Sequence, residues 1–437
     1  MKPINVGLLG IGTVGAGTFT VLRRNREEIS RRAGCVIAMK MVSDKDLERA
    51  RTVAGDSAVI TADALDVVNS PDIDIIVELI GGTGIAKELV LKAIANGKHV
   101  VTANKALLAL HGNEIFAAAQ KKDVMVAFEG AVGGGIPIIK SLREGLTANR
   151  IEWIAGIING TSNFILSEMR DKGASFGDAL NEAQRLGYAE ANPTFDIEGI
   201  DAAHKLVIMA AIGFGIPMQF SSAYVEGISK LTQEDIRYAE ELGYRIKLLG
   251  IAKRKAAGIE LRVHPTLIPA KRLIANVEGA MNAVVVQGDA VGSTLYYGKG
   301  AGAEPTASAV IADLVDVTRM ATSDPQNRVP HLAFQPNAMA DIKILPMDDV
   351  ITSYYLRLRV QDKPGVLADI TRILADEQIS IDAVIQKEPG EGEDQTDLIM
   401  LTHQTREKRI NAAIVKIGAL GVVAGKVTKL RMEELGK

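Results

Sequence analysis

Along the N-terminal part of the chain, short apolar runs alternate with longer stretches whose apolar positions recur every three to four residues. Ile4 to Leu9 is the first such run. It is followed by Gly10-Ile11-Gly12-Thr13-Val14-Gly15 and a helical stretch from Ala16 toward Ile29. Cys35 to Val42 and Asp72 to Ile80 read as further strands, the second closed by Gly81-Gly82, and Ala86 to Asn96 has helical periodicity with Gly97 at its C-terminal cap. His99 to Thr102 and Val124 to Phe128 continue the alternation. Strands alternating with helices predict a doubly wound parallel sheet with right-handed crossovers, whose ligands bind outside the carboxyl ends of the strands.

After Gly133-Gly134-Gly135-Ile136-Pro137 the texture changes to longer helical segments and short strand candidates such as Arg150 to Ile157 and Ile259 to Val263. The expected organisation is a nucleotide-binding domain over 1–134, a second α+β domain over 135–304, a helix over 305–322 that returns to the first domain, and a Pro- and Asn-bearing connector over 323–350. From 351 to 437 the pattern resets. Tyr354 to Gln361 alternates, Asp362-Lys363-Pro364-Gly365 turns, and Val366 to Asp376 is an amphipathic helix. Strand candidates follow at Ser380 to Lys387, Asp397 to Thr402 and Val423 to Arg431, with a helix near Arg406 to Gly418, which gives the order βαββαβ.

The 437 residues exceed the usual size of one core, and 47% hydrophobic with 24% charged residues is ordinary globular composition. A net charge of -3 with no block of Lys and Arg points away from nucleic acid and membrane surfaces and toward small molecules. One cysteine, Cys35, cannot form an intrachain disulfide, which favours a reducing compartment. The longest strongly apolar run, Leu206 to Ile216, is shorter than the ~20 residues of a membrane span, and the N-terminus is unlike a signal peptide. A cytoplasmic location is expected.

Candidate chemistry concentrates in DIEGIDAAHKLVIMAAIGF, Asp196 to Phe214. Asp201 and Lys205 stand one helical turn apart on a row continued by Ile208 and Ile212, so the pair should be buried. A surface i,i+4 pair would be worth only about 0.2 to 0.5 kcal/mol, whereas an amine held in an apolar site can serve as an acid or base. The Gly10-x-Gly12-x-x-Gly15 run follows a strand and opens a helix, the setting in which backbone amides approach a pyrophosphate. Ser43-Asp44-Lys45 stands where an adenosine ribose would be met: an acidic group there suits NAD, while Lys45, Arg49 or Arg51 could bind the phosphate of NADP. Lys105, just past the strand ending at Thr102, faces the crevice where a nicotinamide would lie. Glu129 to Gly135 combines a carboxylate with many bare carbonyls, which suits a hard cation or a Gly-rich hinge equally well. The loop Gly187 to Asp196 carries two carboxylates ahead of the Asp201/Lys205 helix and could hold an ammonium or cap a helix. The six histidines show no zinc-like spacing.

Taken in series, GLLGIGTVG, VTANKALLA, EGAVGGGIPII, NGTSNFIL, GYAEANPTFDIEGIDAAHKL and GKGAGAEPTASAV closely resemble homoserine dehydrogenase over almost the whole chain. The segment from Ser353, with DKPGVLADIT, resembles the ACT regulatory domain of many members. The resemblance implies Lys205 as the acid/base lysine, Asp201 as its partner and Lys105 as a second lysine at the reacting carbon. Glu190 would bind the substrate ammonium, with Thr161, Tyr188 and Asp196 lining the substrate pocket. Gly10, Gly12, Thr13, Val14, Gly15, Thr102, Lys105 and Gly302 would meet NADP or NAD. Glu129 with the main chain of Val132, Gly134 and Ile136 matches a sodium or potassium site, and Gly365 lies at the turn where an amino-acid effector, threonine, would bind. A homodimer or homotetramer is implied. Ile85 stands where relatives usually have proline, and Ser43 replaces an arginine often seen there, which weakens the case for strict NADP use. The chain reads as starting at the nucleotide-binding strand, without the aspartokinase fused in some relatives.

The implied reaction is the reversible reduction of L-aspartate 4-semialdehyde to L-homoserine, with a lysine supplying the proton and a positive charge to the developing alkoxide. Asp201 alone would raise the pKa of Lys205, so a base role in oxidation needs an opposing push from burial or from Lys105, and oxidation should need alkaline pH. Two rival readings are a non-catalytic cofactor or amino-acid sensor, which has no need of the Asp201/Lys205 pair, and another ACT-bearing dehydrogenase. For the second, the sequence has no Arg/His arrangement suited to clamping a hydroxy acid.

Overall fold

A computed structural model describes residues 3–321, 323–325, 328–390 and 392–436. The chain divides into two compact units, one of residues 1–160, 201–223 and 280–342, the other of 161–200, 224–279 and 343–437.

The first unit is built on a six-stranded parallel sheet. Its strands are β1 (Ile4–Leu9), β2 (Ile37–Ser43), β3 (Val59–Thr61), β4 (Ile75–Glu78), β5 (His99–Thr102) and β6 (Val126–Ala127), in the order β3-β2-β1-β4-β5-β6. The connecting helices are α1 (Thr13–Arg24), α2 (Arg26–Ala33), α3 (Leu47–Ala54), α4 (Ala64–Asn69), α5 (Ile85–Ala95) and α6 (Lys105–Lys121). The strand order reverses between β1 and β4, which opens the crevice in which such sheets bind nucleotides. The expected helix from Ala16 toward Ile29 is two helices. Asn25 breaks it with φ -104° and ψ 21°, serving as C-cap of α1 and N-cap of α2.

Apolar faces of β1, β2, α1 and α2 share one core with Ala307, Val310, Ile311 and Leu314. These last four lie on the Ala303–Met320 helix, which packs its apolar face into this core. A Cβ on Gly17 would lie 2.5 Å from the Ala303 carbonyl oxygen, so only glycine allows α1 to approach so closely. This helix ends at Met320, and Thr322, the expected last residue, lies outside the described residues. The unit also holds an antiparallel ladder in the order Gly292–Lys299, Met281–Gly288, Ile151–Ile157, and the Ile200–Phe214 helix, in which every residue from Asp201 to Phe214 is buried.

In the second unit, six strands run in the order Tyr244–Lys255, Gly258–Pro269, Val423–Met432, Ile351–Gln361, Gln395–Thr402, Ile381–Gln386. The Val366–Asp376 and Glu407–Gly418 helices cover the C-terminal strands, with Ile370, Leu374, Ile410 and Ile417 packed on Tyr354, Leu356, Leu358 and Met400. The strands and helices expected from 351 onward are all present within a few residues of their expected bounds. No helix among the described residues is long and apolar enough to cross a membrane.

Candidate active site

The Ile200–Phe214 helix carries its only acid and its only lysine one turn apart, where apolar side chains on all other faces force both into the interior. Lys205 Nζ donates to Asp201 Oδ2 at 2.7 Å and to the Ile158 carbonyl at 2.7 Å. Asn159 Nδ2 donates to the same Asp201 oxygen at 2.8 Å, and Lys105 Nζ lies 3.0 Å from Asp201 Oδ1. The side chains of Lys205 and Asp201 are 9% and 6% exposed and that of Lys105 is 38% exposed, so one ammonium is sheltered and the other reaches solvent. Burial alone would push the Asp201 carboxyl up; Lys205 and Lys105 outweigh it and hold the group well below the usual carboxylate range. A carboxylate thus stays charged between two lysines. Burial likewise keeps the neighbouring His204 near a pKa of about 4, hence neutral at working pH.

Lys105 is the first residue of α6, where a cation opposes the helix dipole, so its place calls for a local reason. The turn before it is strongly fixed. Asn104 Oδ1 caps the helix by accepting from Leu107 N–H at 3.0 Å, and its amide donates to the Gly82 carbonyl at 2.7 Å. Thr102 Oγ accepts from Asn104 N–H at 3.0 Å and donates to Glu78 Oε2 at 2.6 Å, while Glu78 Oε1 accepts from Ile80 and Gly81 N–H. Glu78 is fully buried at the end of β4. It ties the turn after β4 to the turn after β5, both on the same side of the crevice.

The Gly-rich turn shows the features that a dinucleotide needs. Gly10 has φ +95°, a Cβ on Gly15 would stand 2.1 Å from the Gly10 carbonyl oxygen, and a Cβ on Gly12 would meet nothing within 4 Å. Gly12 precedes α1 without a side-chain cap, which leaves the amides of Thr13 and Val14 at an uncapped helix start. Asp44, the acid after β2, is committed locally: its carboxylate accepts from Ile11 N–H at 2.6 Å and Asp46 N–H at 2.8 Å, bracing the turn. Gly302, φ +130°, is the N-cap of the Ala303–Met320 helix and also lacks a side-chain cap.

Glu129 is buried after β6. Its Oε1 accepts from Ile139 N–H at 2.9 Å and its Oε2 from Lys140 N–H at 2.7 Å, while its own N–H donates to Asp313 Oδ2 at 2.7 Å. Burial pushes the Glu129 carboxyl up to about 7 and the adjacent Asp313 carboxyl well above its ordinary value. Arg143, with Lys140 for Glu129, offsets that push only in part, and each Glu129 oxygen accepts one N–H and keeps a lone pair, so the donor set fits a hard cation. Val132, Gly134 and Ile136 follow in the same turn. No group of three or more His, Cys, Asp or Glu side chains able to hold a metal occurs among the described residues.

Thr161, Tyr188, Glu190 and Asp196 belong to the second unit. There Thr161 Oγ donates to the Tyr188 carbonyl at 2.6 Å, Ser162 Oγ to the Asp196 carbonyl at 2.9 Å, and Tyr188 packs on Phe164. These bonds gather Thr161, Tyr188 and Asp196 around the start of the Gly160–Lys172 helix. Asp196 lies inside the short Thr194–Ile197 helix, whose N-cap is Pro193, and Glu190 is exposed, with Gln184 Nε2 on its carbonyl at 3.0 Å. Gly365, φ +93°, is the N-cap of the Val366–Asp376 helix. Sequence reasoning did not single out Asn159, Glu78 or Asp313. The first stands inside NGTSNFIL, and the others are lone acids in apolar segments, a signal that points to a buried partner without naming it.

Family models place these residues in context. A homoserine dehydrogenase NAD-binding domain model matches residues 10–129, a homoserine dehydrogenase model 137–315 and an ACT domain model 354–419. The chain is 62% identical over 436 residues to homoserine dehydrogenase of Pseudomonas aeruginosa, covering 100% of both. It is similar to the crystal structure of a homoserine dehydrogenase from Thiobacillus denitrificans, with 71% identity, a TM-score of 0.96, and 100% and 99% of the two chains covered. A hyperthermophilic archaeal homoserine dehydrogenase in complex with NADPH is 26% identical with a TM-score of 0.62, over 72% of this chain and 98% of that one.

Proposed function

Because the chain belongs to the homoserine dehydrogenase family, NAD(P)-dependent oxidoreductases acting on a CH–OH group, we propose that Lys205, Asp201 and Lys105 carry proton transfer in the interconversion of L-aspartate 4-semialdehyde and L-homoserine. The supporting observation is a sheltered ammonium and a solvent-reaching one held on opposite oxygens of one buried carboxylate, with Lys105 just beyond the carboxyl end of β5.

When bound, NADP or NAD supplies or accepts the hydride. Gly10, Gly12, Thr13, Val14 and Gly15 bind its pyrophosphate, and Thr102, Lys105 and Gly302 its reactive half. In reduction Lys205 gives a proton to the aldehyde oxygen, and Lys105 adds positive charge to the developing alkoxide. In oxidation a neutral lysine takes the hydroxyl proton, which sets an alkaline requirement because Asp201 favours the charged amine. Asn159 and the Ile158 carbonyl fix the orientation of the pair. Glu190 takes the substrate ammonium, with Thr161, Tyr188 and Asp196 lining the pocket. Glu129 and the carbonyls of Val132, Gly134 and Ile136 hold sodium or potassium, which offsets the charge of Glu129 and Asp313. Threonine, bound near Gly365, feeds back on activity, and the enzyme works in the cytoplasm as a homodimer or homotetramer.

The test follows NAD(P)H absorbance with homoserine and each cofactor, in sodium, potassium or choline chloride, with and without threonine. Homoserine-dependent reduction of cofactor, lost in Lys205→Met, is expected. Full activity in that variant removes Lys205 from proton transfer, and no response to threonine leaves the C-terminal domain structural.

A further inference from the structure

A cavity of about 820 Å³ lies in the first unit, at the end of the parallel sheet away from the cofactor crevice. It is lined by the C-terminal half of α6, from Asn113 to Gln120, and by Val124 to Val126 at the start of β6. Cofactors meet such a sheet at the carboxyl ends of its strands, so this space is not theirs. Lys105, at the other end of α6, is eight residues from Asn113, roughly 12 Å along the axis at 1.5 Å per residue.

The walls are apolar but not uniformly so. Phe116, Met125 and Phe334 contribute faces, while Arg143, Arg328 and His331 contribute donors. Arg143 is 6% exposed; its Nη2 meets Glu144 at 3.0 Å, and its Nε has no partner among the described residues. His331 stacks on Phe116, and its Nε2 accepts from Val126 N–H at 3.1 Å. That bond fixes the neutral tautomer with the proton on Nδ1, so the ring offers a donor. Arg328 donates to the carbonyls of Asp123, Ala321 and Ser323. Asp123 is the one carboxylate among the lining residues, set against two guanidiniums. Arg143 also lies near the buried Glu129 and Asp313, whose carboxyls it pulls down, and Glu144 takes its Nη2. Among the lining side chains themselves, two guanidiniums and an imidazole N–H stand against one carboxylate inside an aromatic and thioether wall.

We propose that this cavity binds a small monocarboxylate with an apolar body, its carboxylate on Arg143 and His331 and its body against Phe116, Met125 and Phe334. An apolar pocket with a few convergent donors recognises this class and excludes cations and neutral isosteres. The wall is continuous with the end of the helix that carries Asp201 and Lys205. A Cβ on Gly215, directly after that helix, would stand 2.8 Å from the Phe334 ring, and Asn113 clamps Met218 through both its amide atoms at 3.0 and 3.1 Å. An occupant thus braces the anchor of the lysine-bearing helix without touching the reacting groups.

The experiment is calorimetric titration of the full chain with 3-phenylpropionate, repeated with 3-phenylpropan-1-ol and in the presence of saturating homoserine or NADPH. Eleven non-hydrogen atoms at ordinary ligand efficiency give a Kd of about 1 mM. The acid should bind once per chain, the alcohol at least about tenfold more weakly, and neither homoserine nor NADPH should compete. Gln335→Glu adds a negative charge at an exposed lining position and should weaken the acid severalfold with an unchanged Tm, whereas Arg143→Lys tests the guanidinium itself. Sedimentation velocity should be the same with and without the acid. No heat up to about 10 mM, equal binding of acid and alcohol, competition by homoserine, a wild-type Kd in Gln335→Glu, or dissociation of an assembly by the acid would each overturn the proposal.

Discussion

Replacing Asp201 by Asn keeps the shape of the site and removes the charge that two lysines share. Lys205 Nζ, 2.7 Å from that carboxylate and 9% exposed, would be left as a buried ammonium facing an amide and the Ile158 carbonyl. Breaking a buried pair from one side typically costs about 3 to 5 kcal/mol. The lysine can escape part of this by shedding its proton, which sets a ceiling. Discharging an amine of ordinary pKa 10.4 at pH 7 costs about 4.6 kcal/mol, at 1.36 kcal/mol per pH unit, and about 0.5 kcal/mol at pH 10. Lys105, 38% exposed, can be solvated and adds less.

The sign follows from linkage. In the variant the folded-state pKa of Lys205 falls below its unfolded value, so the unfolded chain binds more protons and stability rises with pH across that window. Urea melts of wild type and Asp201→Asn at pH 7, 8, 9 and 10 should show a deficit of about 3 to 5 kcal/mol at neutrality that shrinks to less than 1 kcal/mol at pH 10. Homoserine oxidation should lose its alkaline requirement in the same variant, because the amine is already neutral at lower pH. A deficit that stays constant from pH 7 to 10, or none at all, would mean that the carboxylate does not hold the lysine in its charged form.

Under the proposed role of its amine at the substrate oxygen, Lys205→Met should lower kcat by about 10² to 10⁴ with cofactor Kd within about threefold; fluorescence titration of NADPH and steady-state rates separate the two. Glu190→Gln should raise the KM for homoserine about tenfold and leave kcat within about threefold, and an unchanged KM would move the ammonium site elsewhere. Gly15→Ala places a Cβ 2.1 Å from the Gly10 carbonyl oxygen, so NADPH affinity should fall by about a hundredfold, and near-normal binding would show that the turn has room to shift. Glu129, raised from 4.5 to about 7, favours the folded state fully only below pH 4.5, and that contribution is lost as pH rises through about 7. A cation that neutralises it should therefore raise Tm, relative to choline chloride, more at pH 8 than at pH 6; equal gains at both would discard the site.

The parallel sheet was legible because β1, β4 and β5 are short, mainly apolar runs, with Asn5 and His99 only near their starts, closed by glycine or a polar residue, and burial on both faces demands that pattern. The Asp201/Lys205 pair was legible for a related reason: two charges at helical spacing in an otherwise apolar segment have nowhere to hide. Expected strand bounds failed where pairing rather than composition decides. Val124 to Phe128 shrinks to Val126–Ala127, because β6 pairs only with β5, and that only at two positions. Asn25 interrupts a helix whose apolar period continues across it. The partners Asn159, Glu78 and Asp313 were not legible, since each acts across more than 20 residues of chain, on Asp201, Thr102 and Glu129 respectively.

The same limit hides how the C-terminal ACT domain is joined to the rest of its unit. Val423–Met432 runs parallel to Gly258–Pro269, with Thr266 opposite Arg431 and Leu267 opposite Met432. Arg431, 1% exposed, reaches Glu407 at 2.6 Å, Glu226 at 2.7 Å and the Tyr224 hydroxyl at 3.1 Å, while Arg262, also buried, meets Glu260 at 2.9 Å and Glu433. Such pairs add little net stability over an apolar core of equal volume, but losing one partner is costly. Their consequence is register. A one-residue slip of the last strand would turn Arg431 to the opposite face, away from Glu407 and Glu226, and leave the buried Glu407 without its arginine. The Glu407–Gly418 helix, which carries Glu407, therefore cannot shift along the sheet without disturbing Arg431 and, through it, the Tyr224–Val225 segment beside Gly258–Pro269. A ligand that moves this helix is coupled to that strand by charge pairs rather than through a flexible tether.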